Sequence, residues 1–120
     1  MSDRTILVVD DDALLRCDAF MMLDEAGLSV VEFENADDAL SYVFQQSGRV
    51  AGIFSDVQTG GDANGIDLAR TIAERWPHIA VVLTSGRIDP GPDLPSSVSF
   101  VPKPWRPLDV LTAMQNAAAR

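Results

Sequence analysis

The sequence predicts an α/β fold in which a parallel sheet is covered by helices on both faces, a doubly wound arrangement. Three observations lead there. Short strand-like segments recur at 5–10, 28–33, 50–56, 79–85 and 98–101, the first of them a continuous apolar run. Most of the stretches between them carry apolar residues at helical spacing. The acids, hydroxyls and single lysine gather just where the runs end. Runs that are apolar throughout suit strands buried on both faces. Strand–helix alternation then gives parallel pairing with right-handed crossovers.

The elements follow in order. TILVVD (5–10) is the first strand, and residues 13–26 form a helix that Gly27 stops. On that helix Leu15, Ala19, Met22, Leu23 and Ala26 make the core stripe, while Leu14, Cys17, Phe20 and Met21 fall on a second side. LSVVEF (28–33) is the second strand. Asn35 caps a helix that runs to about Gln46, with Asp37 and Asp38 at its positive end. VAGIFSD (50–56) is the third strand. GIDLARTIAER (65–75) is a helix that must end before Pro77. IAVVLTS (79–85) and VSFV (98–101) are the fourth and fifth strands. PLDVLTAMQNAAAR closes with a helix whose first-turn proline is well placed.

Bulk properties bound the function. A chain of 120 residues suits one domain, residues 1–120, with its own core. No run of 18 apolar residues offers a membrane span, and MSDRTILVV lacks the layout of a secretory leader, so a cytoplasmic location is expected. One cysteine, Cys17, excludes an internal disulfide and a cysteine metal site. The net charge of −9 would repel a phosphate backbone, which argues against direct nucleic-acid binding. His78 follows Trp76-Pro77, far from the strand carboxyl ends, and reads as a surface histidine.

Parallel sheets of this kind bind ligands beyond the carboxyl ends of their strands, beside a topological switch point. Strand one ends in Asp10-Asp11-Asp12, strand three in Asp56, strand four in Thr84-Ser85-Gly86, and strand five is followed by Lys103-Pro104. Two carboxylates about 4 Å apart repel by about 4 kcal/mol at an effective dielectric near 20. The cluster therefore needs a counter-charge. Asp10, Asp11 and Asp56 make an oxygen-rich pocket of the kind hard Mg²⁺ prefers, and Lys103 supplies a point charge. Asp12, at the first turn of a helix, faces water and suits the dipole. A carboxylate beside a metal, a lysine and a hydroxyl can attack a phosphoryl group. Asp56 is the best nucleophile candidate, alone at its strand end with small neighbours. Thr84 and Ser85 cannot both point at it, because a strand alternates faces.

VVDD (8–11), SD (55–56), LTSG (83–86) and FVPKPW (100–105), in this order and spacing, resemble the receiver domain of bacterial response regulators. The resemblance covers essentially the whole chain. It implies a flavodoxin-like five-stranded sheet of order 2-1-3-4-5. It implies that Asp56 accepts a phosphoryl group from a histidine kinase or histidine phosphotransfer protein in a Mg²⁺-dependent reaction. Asp10, Asp11, Asp56 and the backbone carbonyl of Gln58 would hold the metal. Lys103 would pair with the phosphoryl group, Ser85 and Phe100 would be the switch residues, and Lys103–Pro104 would be cis. The reaction would be self-catalysed transfer and autodephosphorylation, with no turnover of an outside substrate.

The chain departs from that pattern in two places. After Asp56 it reads Thr59-Gly60 where many receivers have Met-Pro, and with Gly61 the loop is one residue longer than the shortest family form before Gly65, so it should be mobile without Mg²⁺ and tighten with it. GRIDPGPDLPSS (86–97) holds three prolines, so the usual helix between strands four and five should be short or absent. Arg87 and Gln58 flank the site, as modulators of phosphoryl lifetime or as solvated loop residues. Trp105 packs near the switch or covers the prolines. The second side of the first helix fits a histidine-containing partner or a homodimer, unless Phe20 wraps under a neighbouring element. No effector domain follows the last helix, which fits a stand-alone receiver or the receiver of a hybrid kinase. Asp10-x-Asp12 also resembles the nucleophile motif of haloacid-dehalogenase-type phosphohydrolases, a reading that leaves Asp56 without a role. A docking module of receiver shape that never takes phosphate is a third reading.

Overall fold

The computed structural model describes residues 5–58, 64–86, 94–95 and 97–118, with side chains as far as Met114. Five strands, β1 (Thr5–Val9), β2 (Ser29–Phe33), β3 (Val50–Asp56), β4 (Ala80–Ser85) and β5 (Val98–Pro102), pair in parallel in the order β2-β1-β3-β4-β5. Four α-helices lie among them: α1 (Ala13–Glu25), α2 (Ala36–Gln46), α3 (Gly65–Arg75) and α4 (Pro107–Ala118). Both the fold class and the strand order match the expectation. A 3₁₀ turn, Ser47–Arg49, leads into β3.

Two apolar cores follow from strand alternation. Leu7, Val9, Ile53, Val81 and Leu83 face α2 and α3 on one side of the sheet. Ile6, Val8, Phe54, Ala80, Val82 and Val101 face α1 and α4 on the other. Burying each large aliphatic side chain contributes about 1.5–3 kcal/mol. This is why the inner strands β1, β3 and β4 read as nearly unbroken apolar runs with polar residues at their ends, while the edge strands β2 and β5 keep Glu32 and Ser99 within them.

Local chemistry sets the helix ends. Asp12 caps α1, its side chain accepting from Leu14 N and Leu15 N. At the other end Gly27, at φ 87°, lets its own N–H reach Asp24 O and that of Leu28 reach Leu23 O, a Schellman closure. Ala26 therefore belongs to the cap and is exposed, not part of the core stripe; Ala19, Met22 and Leu23 are its buried members. Asn35 caps α2 through Asp38 N, as expected. Asn64 and Asp67 form a reciprocal capping box on α3.

Strand boundaries differ from the sequence reading by one residue. β1 stops at Val9, β2 begins at Ser29, β4 begins at Ala80 and β5 extends to Pro102. Much of the proline-rich segment, 87–93 and Ser96, lies outside the described residues, as do Arg87 and the 59–61 loop positions. Among the described residues no helix stands between β4 and β5.

Candidate functional site

The chain runs from β1 across to the edge strand β2 and returns on the far side of β1 to β3. The carboxyl ends of β1 and β3 therefore adjoin at the switch point, where a crevice opens. Asp10 and Asp56 stand at those two ends.

Asp10 follows β1 directly and is 6% exposed. Its amide donates to Phe33 O at 3.1 Å, holding it against β2. Its Oδ1 accepts from Asp12 N at 2.9 Å. Burial raises its pKa above the ordinary carboxylate value; the Asp12 amide and Lys103 act against this, and the charges of Asp56 and Asp11 add to it. Asp56 is held from two directions: Gln58 N donates to Oδ1 at 3.1 Å, and Lys103 Nζ to Oδ2 at 2.9 Å. The same ammonium lies 3.8 Å from Asp10 Oδ2. Burial pulls the Lys103 pKa down, but its hydrogen bond to Asp56 and the charges of Asp10, Asp56 and Asp12 outweigh this and raise it. Asp11 is exposed, yet it offers an oxygen within 4.8 Å of those of Asp10 and Asp56.

The triple-aspartate run thus divides its work. Asp10 is buried, Asp11 faces the crevice, and Asp12 caps α1. Three carboxylates converging on one point form an all-oxygen donor set, which fits a hard cation such as Mg²⁺.

Lys103 is placed by backbone. Its N–H donates to Ser85 O at 3.0 Å, and the Lys103–Pro104 bond is cis. Trp105 then turns inward, half-buried, its ring edge-on to Phe54 with centroids 5.4 Å apart. A groove of about 670 Å³ opens beside it, lined by Leu15 and Met22 of α1 and by Gly86, Lys103 and Pro104.

Ser85 and Thr84 are both buried. Alternation sets Thr84 on the face of Phe54 and Val82, and Ser85 on the face of Leu83. The register pairs Thr84, not Ser85, with Asp56. Phe100 is half-buried and pairs with Leu83, on the Ser85 face. His78 is exposed, its Nε2 3.1 Å from Ser47 O, at the opposite end of the sheet.

Two contributors escaped the sequence reading. Arg16 Nη1 donates to Asp10 O at 2.8 Å, while its Nε lies 3.4 Å from Glu32 Oε1. The signal was available: Arg16 stands one helical turn after the cap Asp12. The other is Gly65. Its N–H donates to Val57 O at 2.8 Å, and a Cβ there would lie 2.9 Å from Val57 Cα and closer still to Asp56 O. Only glycine lets the start of α3 press on the backbone that carries Asp56.

Comparison with known proteins bears on the same features. The chain is 30% identical over 125 aligned positions to the hydrogenase transcriptional regulatory protein HoxA of Cupriavidus necator, covering 98% of this chain and 25% of that protein. It is 32% identical over 120 positions to the transcriptional regulatory protein FixJ of Bradyrhizobium diazoefficiens, covering 96% of this chain and 56% of that one. The chain thus spans about a quarter of one relative and little more than half of the other. In fold it resembles a response regulator receiver domain protein from Clostridium thermocellum, with a TM-score of 0.83 at 22% identity, covering 98% and 95% of the two chains. It also resembles a receiver protein from Sinorhizobium medicae, with a TM-score of 0.83 at 24% identity, covering 96% and 94%. Residues 6–115, from the first buried residue of β1 into α4, match the family described as the response regulator receiver domain, and the chain belongs to it.

Proposed function

We propose that this receiver is a working phosphoacceptor: Asp56 takes a phosphoryl group from the phosphohistidine of a histidine kinase or histidine phosphotransfer protein. The observation that carries the reading is the meeting of Asp56 with Lys103 at 2.9 Å inside a cluster of three carboxylates. A pseudo-receiver has no need to hold that cluster together against its own repulsion.

An Asp56 oxygen attacks phosphorus; the P–N bond breaks, and its electron pair leaves with the imidazole of the partner. The Gln58 amide and Lys103 fix the carboxylate rotamer before attack, so less orientational entropy is lost in the reaction. Lys103 then turns to the phosphoryl oxygens as a mobile point charge. Ser85, the last residue of β4, lies on the opposite sheet face from Asp56 and would supply its hydroxyl to the phosphoryl oxygens over the end of the strand, not to Asp56 itself, and Phe100, on the Ser85 face, would sense its movement. Asp10, Asp11, Asp56 and the Gln58 carbonyl would hold Mg²⁺, which when bound offsets the charge gathered on carboxylate and phosphoryl oxygens. Hydrolysis of the acyl phosphate resets the site.

The signal passes by protein contact or onward phosphotransfer. HoxA and FixJ are named as transcriptional regulators. With a net charge of −9, the segment described here would influence DNA through a protein partner, not by touching it.

The test is incubation with a small-molecule phosphodonor and Mg²⁺, followed by intact mass. One phosphoryl adduct is expected, absent in Asp56→Asn and absent when Mg²⁺ is chelated. An adduct retained in Asp56→Asn but lost in Asp10→Asn would transfer the role to the first strand. No adduct on the wild type would leave a docking module.

A further inference from the structure

β4 ends in two hydroxyl residues, and the reading above uses only Ser85. Thr84 is 2% exposed, and its Oγ1 is the buried side-chain polar atom that makes no hydrogen bond among the described residues. Buried hydroxyls are rarely left this way, because desolvation is then uncompensated. Valine has the same shape and an equal liking for strands. If packing were the whole requirement at this position, an apolar side chain would serve it better.

The placement of Thr84 suggests what the hydroxyl is for. It pairs with Asp56 on one side and Val101 on the other. It shares its sheet face with Phe54 and Val101. Asp56 lies two residues beyond Phe54 on that face, and Lys103 follows Val101 by two. The Thr84 side chain therefore stands level with Asp56 on that face and two residues short of Lys103, at the base of the pair that closes at 2.9 Å. In that closed pair, Lys103 occupies Asp56 Oδ2 and the Gln58 amide occupies Oδ1. Thr84 is left over.

We propose that Thr84 is a positioning residue of the phosphorylated state: once Lys103 turns to the phosphoryl oxygens, the Thr84 hydroxyl donates to the Asp56 oxygen that is not esterified and holds the acyl phosphate in one orientation. It acts through Asp56 and touches neither phosphorus nor the incoming partner. The inference rests on the phosphoacceptor reading.

The experiment uses Thr84→Val, which keeps the shape, and Thr84→Ser, which restores the hydroxyl. Each is loaded with acetyl phosphate and Mg²⁺, and the decay of the adduct is followed by intact mass. Thermal melting of the unmodified proteins is measured in parallel. The unmodified Thr84→Val protein should melt a few degrees above wild type, because an unpartnered hydroxyl is gone. Its phosphoryl group should be lost about fivefold faster, the size of one hydrogen bond, and Thr84→Ser should return the decay toward wild type. A purely structural threonine would not move the two readouts in opposite senses. A phosphoryl half-life within about twofold of wild type, or longer, overturns the proposal, as does a lower melting temperature for unmodified Thr84→Val; a change of about twofold is below what one hydrogen bond supplies. If the wild type takes no phosphoryl group, the phosphoacceptor reading fails and the inference with it. If the wild type is loaded and Thr84→Val matches it, the inference alone fails.

Discussion

The guanidinium of Arg16 donates to the backbone carbonyl of Asp10 at 2.8 Å, so that α1 grips the end of β1 at the residue that enters the acidic cluster. The same side chain reaches Glu32 on β2 at 3.4 Å. One contact is a charge-assisted bond to a part-buried carbonyl, the other an ion pair with a more exposed acid. They should differ in weight. Arg16→Met is expected to cost about 1.5–3 kcal/mol of stability and to weaken Mg²⁺ binding. Glu32→Gln is expected to cost about 0–1 kcal/mol. Urea unfolding of both variants without metal measures the difference; equal losses would mean that the carbonyl contact carries no special weight.

Lys103 sits against Asp56 and Asp10, where it neutralises carboxylates that a cation would otherwise share. Lys103→Met should therefore separate two properties. Mg²⁺ should bind more tightly, because the ammonium no longer occupies the cluster. Phosphoryl loading should fall by about 10²-fold, the usual scale for removing one charge-stabilising group. Titration by calorimetry and loading followed by mass read the two effects independently. A variant that loads at the wild-type rate would remove the lysine from the chemistry.

Burial raises the pKa of Asp10. A carboxyl whose folded pKa exceeds its unfolded value adds stability below the unfolded value and loses that contribution as pH rises through the folded one. The metal-free protein should therefore be weakened by this residue near neutrality. Asp10→Asn, without metal at about pH 7, should melt a few degrees above wild type, and the gap should narrow toward about pH 4. Added Mg²⁺ should stabilise the wild type by mass action and the variant far less. A metal-free variant that melts below wild type at neutral pH would contradict the account.

Gly65 is the point where α3 presses on the Asp56–Val57 backbone. The atoms that a new Cβ would meet are main chain, which cannot swing aside. Gly65→Ala should cost about 2–3 kcal/mol, the scale of overpacking. An alanine at Gly48, where a Cβ would have no neighbour within 4 Å, should be close to neutral. Chemical denaturation of the pair provides the control, and similar midpoints would show that the backbone gives way.

The inner strands β1, β3 and β4 were legible because each is a buried, nearly unbroken apolar run, the less buried edge strands β2 and β5 because they repeat the pattern in part, and the acidic cluster because chemistry collects where such runs stop. Asp10, Asp11, Asp56 and Lys103 could be named from that rule alone. Register was not legible. Alternation tells that Thr84 and Ser85 face opposite ways, but which of them lies alongside Asp56 depends on how β3 and β4 slide past each other. The exposure of Ala26 was missed because helical spacing continues through the residue where the Schellman closure has already taken over. Arg16 was missed although its place one turn after Asp12 sets it beside the end of β1; that its guanidinium reaches the Asp10 carbonyl shows only in the packed structure. Gly65 reads from the sequence as a helix start, and only the packed backbone shows why no other residue fits.

The peptide between Val57 and Gly65 is closed at its base. Val57 N–H is fastened to Thr84 O at 2.9 Å and Val57 O to Gly65 N–H at 2.8 Å. Both hydrogen-bonding groups of the Val57 backbone are thus fastened, one to β4 and one to the start of α3, directly after Asp56. Inserting residues between two fixed points is cheap, about 0.6 kcal/mol for each doubling of length. Evolution can therefore alter the sequence between Gln58 and Asn64 while Asp56 stays anchored.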